Sequence, residues 1–169
     1  MALLDWSDQL ELGYERMDET HREFVAQLNA LHEAPEEEFL PRLDAFIEHT
    51  VEHFGQEQRW MEEIKFPPAH CHAGEHEGVL NIMRDVRRMV AEEGKKEIGR
   101  VLTRELAPWF ENHAGGMDAM LSFFMRCIDA GVDPMEQLAL QQAQGAAQNP
   151  CATGSCHPSE AAVGESREA

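Results

Sequence analysis

Apolar and histidine residues recur at intervals of three and four along four separate stretches of this chain, and this repeat limits its possible folds most strongly. The first stretch runs through His21, Phe24, Leu28 and Leu31. Residues with this spacing lie on one face of an α-helix. Strand signals are scarce, because the chain has a single Tyr and no Asn-Gly or Asp-Gly turn. The sequence therefore predicts an all-α protein.

Helix start and stop signals place four helices. They are expected over about 18–34, 41–64, 72–93 and 98–124, with Pro41 in the first turn of the second and Gly94 ending the third. Four amphipathic helices joined by short connections predict an antiparallel up-down-up-down four-helix bundle. We place this bundle in residues 1–130, with an N-terminal arm that leads into the first helix.

The composition changes after Gly131. Residues 137–148 are rich in Gln and Ala, and the remainder is mostly Gly, Ser, Ala, Pro and Glu. We therefore predict a low-complexity tail over 131–169 that is partly helical and then disordered and flexible. Cys151 and Cys156-His157 in this tail lack the two-residue spacing of haem c attachment, and their role stays open.

The charge of the chain excludes several kinds of partner. Lys and Arg number 14 against 32 Asp and Glu, a net charge of −18. Nucleic acids and anionic membranes attract basic surfaces, so no nucleic-acid partner is expected. No apolar run approaches the roughly 18–20 residues of a membrane span, and the N-terminus lacks a basic region followed by an apolar one. We expect a cytoplasmic chain without membrane insertion.

Polar residues interrupt the inward face of all four predicted helices. They are five histidines and two carboxylates: His21, His53, Glu57, His72, His76, His113 and Asp118. Residues four apart share a helix face, so His53 with Glu57 and His72 with His76 each direct two ligand groups to one place. His113 and Asp118 are five apart. Both can reach one site only if the helix is distorted near Gly115-Gly116.

Metal binding explains why a core would hold these side chains. Without partners, each buried charge would cost several kcal/mol. One ion cannot use seven such ligands, but two can. If both carboxylates and a solvent-derived oxygen bridge the ions, three histidines give one ion six ligands. The other two histidines then leave the second ion with five ligands and one open position.

The kinds of ligand also indicate the metal and its use. The absence of cysteine counts against a structural zinc site, whereas imidazole with carboxylate suits iron or manganese and leaves zinc possible. We expect two iron ions. The dominance of histidine over carboxylate favours carrying oxygen over activating it.

The order and spacing of these residues resemble the hemerythrin family, in its bacterial form. The resemblance covers about residues 3–128. It rests on Trp6-Ser7-Asp8 through Gly13, Met17 through His21, His53-Phe54 with Glu57 and Met61, Phe66-Pro67 with His72 and His76, and Trp109 before His113 and Asp118.

This resemblance implies a non-haem di-iron centre, Fe-O-Fe, that binds dioxygen reversibly. Carried over to this chain, it implies that His72, His76 and His113 complete one iron. His21 and His53 would hold the iron with the open position, and Glu57 and Asp118 would bridge. His49, one turn before His53, is expected to remain outside the ligand set.

The resulting functional prediction is oxygen storage, transport or delivery by a protein that is not an enzyme. Its expected partners are dioxygen and an oxygen-consuming enzyme. Two alternatives remain open: an oxygen or redox sensor that acts through a separate partner, and a di-iron enzyme that reduces peroxide or nitric oxide or acts as a metallohydrolase.

Overall fold

The computed structural model describes residues 2–148, and this part of the chain is helical with no strand. In chain order its elements are α1 (Glu15–Glu33), α2 (Glu36–Glu63), α3 (Ala69–Glu93), α4 (Lys96–His113), a π-helical turn (Ala114–Asp118), α5 (Ala119–Asp129) and α6 (Pro134–Gln148). None of these helices is long and apolar enough to cross a membrane. The predicted all-α class is confirmed.

The first four helices form a bundle. Each packs on the next in the chain, and α4 returns to pack on α1. The connections between them are 34–35, 64–68 and 94–95, which are too short for a crossover and force an antiparallel arrangement. The π-helical turn and α5 extend α4. The predicted up-down-up-down bundle is therefore confirmed.

The start of the second helix differs from the prediction. It begins at Glu36 rather than near Pro41, so Pro41 lies inside α2. Glu36, Glu37 and Glu38 occupy the first turn, where carboxylates interact favourably with the helix dipole. Pro41 has no N–H to donate to the carbonyl oxygen of Glu37, so the first turns of α2 lack one backbone hydrogen bond. The predicted end of the third helix is confirmed, because Gly94 adopts a left-handed conformation with φ 65°.

The N-terminal arm is fastened to α1 by two side chains. Asp18 is buried and accepts hydrogen bonds from the backbone N–H groups of Leu12 (2.8 Å) and Gly13 (3.0 Å). Asn29 accepts from the N–H groups of Leu3 and Leu4 and donates to the carbonyl oxygen of Leu4. These contacts connect the arm to the helix that carries His21.

Two apolar clusters divide the core along the bundle. The larger contains Phe24 of α1, Phe54 of α2, Val79 of α3 and Phe110 of α4. The smaller contains Met17, Trp60, Phe66 and Leu121 among others. Along the chain, the predicted ligand residues of each helix are flanked by members of both clusters, as His21 is by Met17 and Phe24. The fold therefore holds a polar layer between two apolar ones.

The chain divides into two compact units near Pro134, and the bundle is the first. In the second, α6 covers the Gln- and Ala-rich stretch for which partial helix was predicted. The predicted flexible tail, with Cys151, Cys156 and His157, lies outside the described residues. The boundary at residues 130 and 131 stays a prediction.

Candidate metal centre

The structure brings all seven predicted ligand residues into one buried layer. None of their side chains is more than 6% exposed, and Glu57, Asp118 and His21 are fully buried. Their ligand atoms fall into two groups within which every pair lies within 4.8 Å. The groups are Glu57, His72, His76, His113 and Asp118, and His21, His53 and Glu57.

The two carboxylates lie between the two groups of histidines. Glu57 Oε1 is 2.7 Å from His53 Nε2, and Glu57 Oε2 is 3.3 Å from the Nε2 atoms of His72 and His76. Asp118 is arranged in the same way. Its Oδ2 is 3.3 Å from His21 Nε2, and its Oδ1 is 3.0 Å from His72 Nε2. Each carboxylate thus offers one oxygen to each side, as a ligand that bridges two metal ions must do.

Three imidazoles converge on one side of the carboxylates. His113 Nε2 lies 2.9 Å from His76 Nε2 and 3.1 Å from His72 Nε2. Neutral imidazoles whose unprotonated nitrogens face each other this closely repel, unless a proton or a metal cation lies between them. The other side holds only His21 and His53, whose ring centroids are 5.1 Å apart.

A π-helical turn makes the last pair of ligands possible. The residues from Ala114 to Asp118 form this turn, and Asp118 Oδ1 lies 3.2 Å from His113 Nε2. Hydrogen bonds from i to i+5 bring residues five apart to nearly the same face, whereas an α-helix does this for residues four apart. The distortion predicted near Gly115-Gly116 is therefore confirmed, and its form is a single π turn.

Aromatic side chains hold several of the histidine rings in place. Phe54 stacks on His76 with ring centroids 3.7 Å apart, and Trp109 stacks on His113 at 4.8 Å. Phe110 contacts His21 edge-on at 5.2 Å. The sequence predicts the ligand residues but not these contacts, because a helical repeat does not show which rings will meet across the bundle.

The carboxylates control the protonation of the metal-free site. Burial lowers the pKa of His21, but Asp118 and Glu57 outweigh burial and raise it to about 9. The same balance raises the pKa of His72 to about 9. Burial raises the pKa of Glu57, yet His53 and the other histidines bring it well below its ordinary value. The metal-free centre therefore carries imidazolium groups opposite carboxylates at neutral pH.

The donor atoms fit a pair of metal ions. Glu57 Oε2, both carboxylate oxygens of Asp118 and His21 Nε2 are buried, and none of them makes a well-aligned hydrogen bond in the described part of the chain, although imidazoles and carboxylates lie 3.0–3.3 Å apart there. Buried oxygens of this kind are costly unless they are hydrogen-bonded or coordinate a metal. The mixture of imidazole and carboxylate ligands, with no cysteine among them, suits iron.

Comparison with known families decides the assignment. The family described as Hemerythrin HHE cation binding domain matches residues 12–122, a range that includes all seven residues of the centre. The chain belongs to the hemerythrin family. This is a non-haem di-iron family, so two iron ions are the cofactor of the centre. Membership of this family supports the interpretation of the chain as a di-iron, oxygen-binding protein.

Relatives cover nearly all of the bundle. The chain is 42% identical over 139 residues to the bacteriohemerythrin of Ralstonia nicotianae. This match covers 82% of this chain and 99% of the relative. It is 31% identical over 124 residues to the bacteriohemerythrin of Stenotrophomonas maltophilia, covering 70% and 78% of the two chains. The myohemerythrin of Theromyzon tessulatum is 27% identical over 114 residues, covering 67% and 86%. The resemblance to hemerythrins is thus confirmed, while the role of each ligand stays a prediction.

His49 lies beside the hemerythrin centre but outside both groups of ligand atoms. Its Nδ1 is 3.8 Å from a carboxylate oxygen of Glu23, and its ring centroid is 6.2 Å from that of His53. We expect His49→Phe to retain both irons, because the substitution removes no ligand atom. Iron analysis of the purified variant checks this, and recovery of a single iron would show that His49 is a ligand.

The affinity of the centre for metal is expected to increase with pH. His21 and His72 must lose their protons before they can bind a metal, and their pKa values are raised to about 9. Two protons are then released per centre, so the apparent affinity should rise by up to roughly a hundredfold per pH unit between about pH 7 and 9. Competition with a chelator at a series of pH values measures this, and an affinity independent of pH would contradict it.

The metal-free protein should show the opposite trend in stability. The two histidines have folded-state pKa values above the ordinary 6.5. Their stabilising contribution is therefore complete below about pH 6.5 and is lost as the pH rises through about 9. Denaturant unfolding of the metal-free protein at pH 6.5 and 9.5 tests the sign.

Proposed function

We propose that this protein binds dioxygen reversibly at its di-iron centre and stores, transports or delivers it. One observation supports this most directly: the histidines divide three and two across a pair of carboxylates that face both sides. If two irons shared Glu57, Asp118 and one further oxygen, the three-histidine side would be coordinatively complete and the two-histidine side would have room for one ligand. Two irons in this centre supply reversible dioxygen binding.

The surroundings of the two-histidine side favour binding without further reaction. Phe24 lies against His53 with ring centroids 6.0 Å apart, and Phe110 stacks on Phe24 at 4.4 Å. Phe24, Phe46 and Phe110 are all buried. These rings line part of this side with apolar surface and supply no acid or base themselves. A site of this kind protects a bound ligand from protonation and displacement by water.

We also propose where this protein acts and which partners it has. We infer a cytoplasmic carrier that does not turn over a substrate, with dioxygen as its ligand and an oxygen-consuming enzyme as the recipient. The net charge of −18 is compatible with a small neutral ligand, since an acidic surface neither attracts nor repels dioxygen.

The test combines iron analysis with a visible spectrum of the same sample. The protein is reduced without oxygen, exposed to air and then returned to vacuum. We expect two irons per chain and charge-transfer bands that appear with air and disappear under vacuum over repeated cycles. Bands that form once and do not reverse would contradict the proposal.

A turnover assay separates carriage from catalysis. The reduced protein is supplied with excess reductant and either peroxide or nitric oxide, and the consumption of each is followed. A carrier should consume no more than about one equivalent per centre. Sustained consumption over many equivalents would establish the enzyme alternative.

A further inference from the structure

A cavity of about 490 Å³ lies beside the three-histidine side of the centre, between α3, α4 and the π-helical turn. Its walls include Cys71, His72, Glu75, Trp109, His113 and Met120. Cys71 and Met120 lie on different helices and share the wall of this one cavity.

This cavity connects solvent with the metal ligands. His72 and His113, at 1% and 6% exposure, form its inner wall, whereas Cys71, Glu75 and Met120 are exposed. The Nδ1 atom of His72 is buried without a partner among residues 2–148, as are those of His21 and His53. His21 and His53, on the opposite side, contact the rings of Phe110 and Phe24.

The outer part of the cavity carries groups that bind divalent cations. Cys71 and Glu75 are four residues apart on α3, one position before the pair formed by His72 and His76. Residues four apart share a helix face, so a thiol and a carboxylate lie on one face of α3, and both belong to exposed residues of the cavity wall. Both are ligands that ferrous iron accepts. The net charge of −18 also raises the concentration of cations near the surface.

We propose that this cavity is the passage through which divalent metal ions enter and leave the centre, with Cys71 and Glu75 as a transient binding place at its mouth. An arriving hydrated ion exchanges water ligands for the Glu75 carboxylate and the Cys71 sulfur, and then passes to His72 and His113, while the protons that the thiol and the imidazoles lose go to solvent. No electron transfer is involved. The inference depends on the di-iron site but not on the proposed oxygen function.

The main test narrows the passage in metal-free protein and follows cobalt(II) uptake by its visible absorption in stopped flow. Met120→Trp adds a bulky ring to the cavity wall, and Ile82→Trp adds the same ring at an exposed position of α3 outside the cavity. We expect Met120→Trp to slow uptake roughly tenfold, corresponding to a modest rise in the barrier. It should slow release to a chelator by the same factor, with stoichiometry and affinity unchanged. Ile82→Trp should match wild type.

Equal effects on uptake and release distinguish a passage from a structural role. A narrower passage raises one barrier for both directions, whereas damage to the centre weakens affinity. Unchanged uptake in Met120→Trp, or equal slowing by Ile82→Trp, would overturn the proposal. A fall in affinity or stoichiometry without equal changes in the two rates would overturn it as well.

Two smaller substitutions test the mouth without changing its volume. Glu75→Gln and Cys71→Ser should each slow cobalt(II) uptake by roughly threefold to tenfold, because a charge or a soft ligand is lost where the ion first binds. Glu77→Gln is the matched control, since Glu77 is exposed on the same helix but does not line the cavity. If all three variants behave alike, the mouth is not a binding place. Reversible oxygen binding by loaded wild type would be unaffected by that outcome.

Discussion

Replacing Glu57 with alanine is expected to abolish the paired metal centre and leave at most one iron per chain. Glu57 is the one residue common to both groups of ligand atoms, with one oxygen facing each. Its removal takes a ligand from both irons at once and eliminates a negative charge that offsets the two cations. The charge-transfer bands of the pair should disappear with it.

Iron analysis and the visible spectrum of purified Glu57→Ala measure this effect. Glu57→Gln separates charge from volume, because it keeps the size of the side chain but cannot bridge as an anion, and it should also lose the pair. Glu52→Ala is the matched control, since Glu52 is exposed on the same helix. Two irons with wild-type spectra in Glu57→Ala would refute the bridging role.

Insertion of one alanine after Gly116 should destroy the centre and most of the fold stability. The π-helical turn already accommodates the five-residue spacing between His113 and Asp118. One more residue would rotate everything beyond it by about 100°. Asp118 would then leave the carboxylate layer, and the buried Leu121 and Phe124 would turn out of the smaller apolar cluster.

Deletion of Gly116 provides the opposite and more informative case. It would reduce the spacing between the histidine and the aspartate to four, at which an ordinary α-helix places both ligands on one face. A methyl group added at Gly115 or Gly116 would meet no neighbouring atom within 4 Å, so no packing contact requires glycine there. We expect the deletion variant to fold and to bind two irons. Thermal unfolding and iron analysis of both variants test this, and equal damage in both would contradict the register argument.

The helices themselves could be predicted from the sequence because their signals are local. Phe24, Leu28 and Leu31 mark an apolar face by spacing alone, and Gly94 marks a helix end by its freedom to adopt positive φ. Signals based on one residue were less reliable. Pro41 suggested a helix start, but the three preceding glutamates and the packing of Phe39 extend α2 to Glu36.

The candidate ligand residues could likewise be predicted from the sequence. His53 with Glu57 and His72 with His76 stand one turn apart, so each pair must face a common direction once its helix forms. Seven polar residues on inward faces then require a metal or another partner, whichever way the helices pack. Local geometry and the cost of burial were sufficient for this step.

The tertiary structure determines how these candidate ligand residues are distributed between the two groups of ligand atoms. Only the packing of four helices gives Glu57 and Asp118 one oxygen on each side and divides the histidines three and two. It also decides between a π turn and an α-helix at Gly115-Gly116, because the buried residues on both sides fix the rotation of the helix. The cavity bounded by Cys71 and Met120 depends on surfaces of different helices, and no spacing within one helix could reveal it.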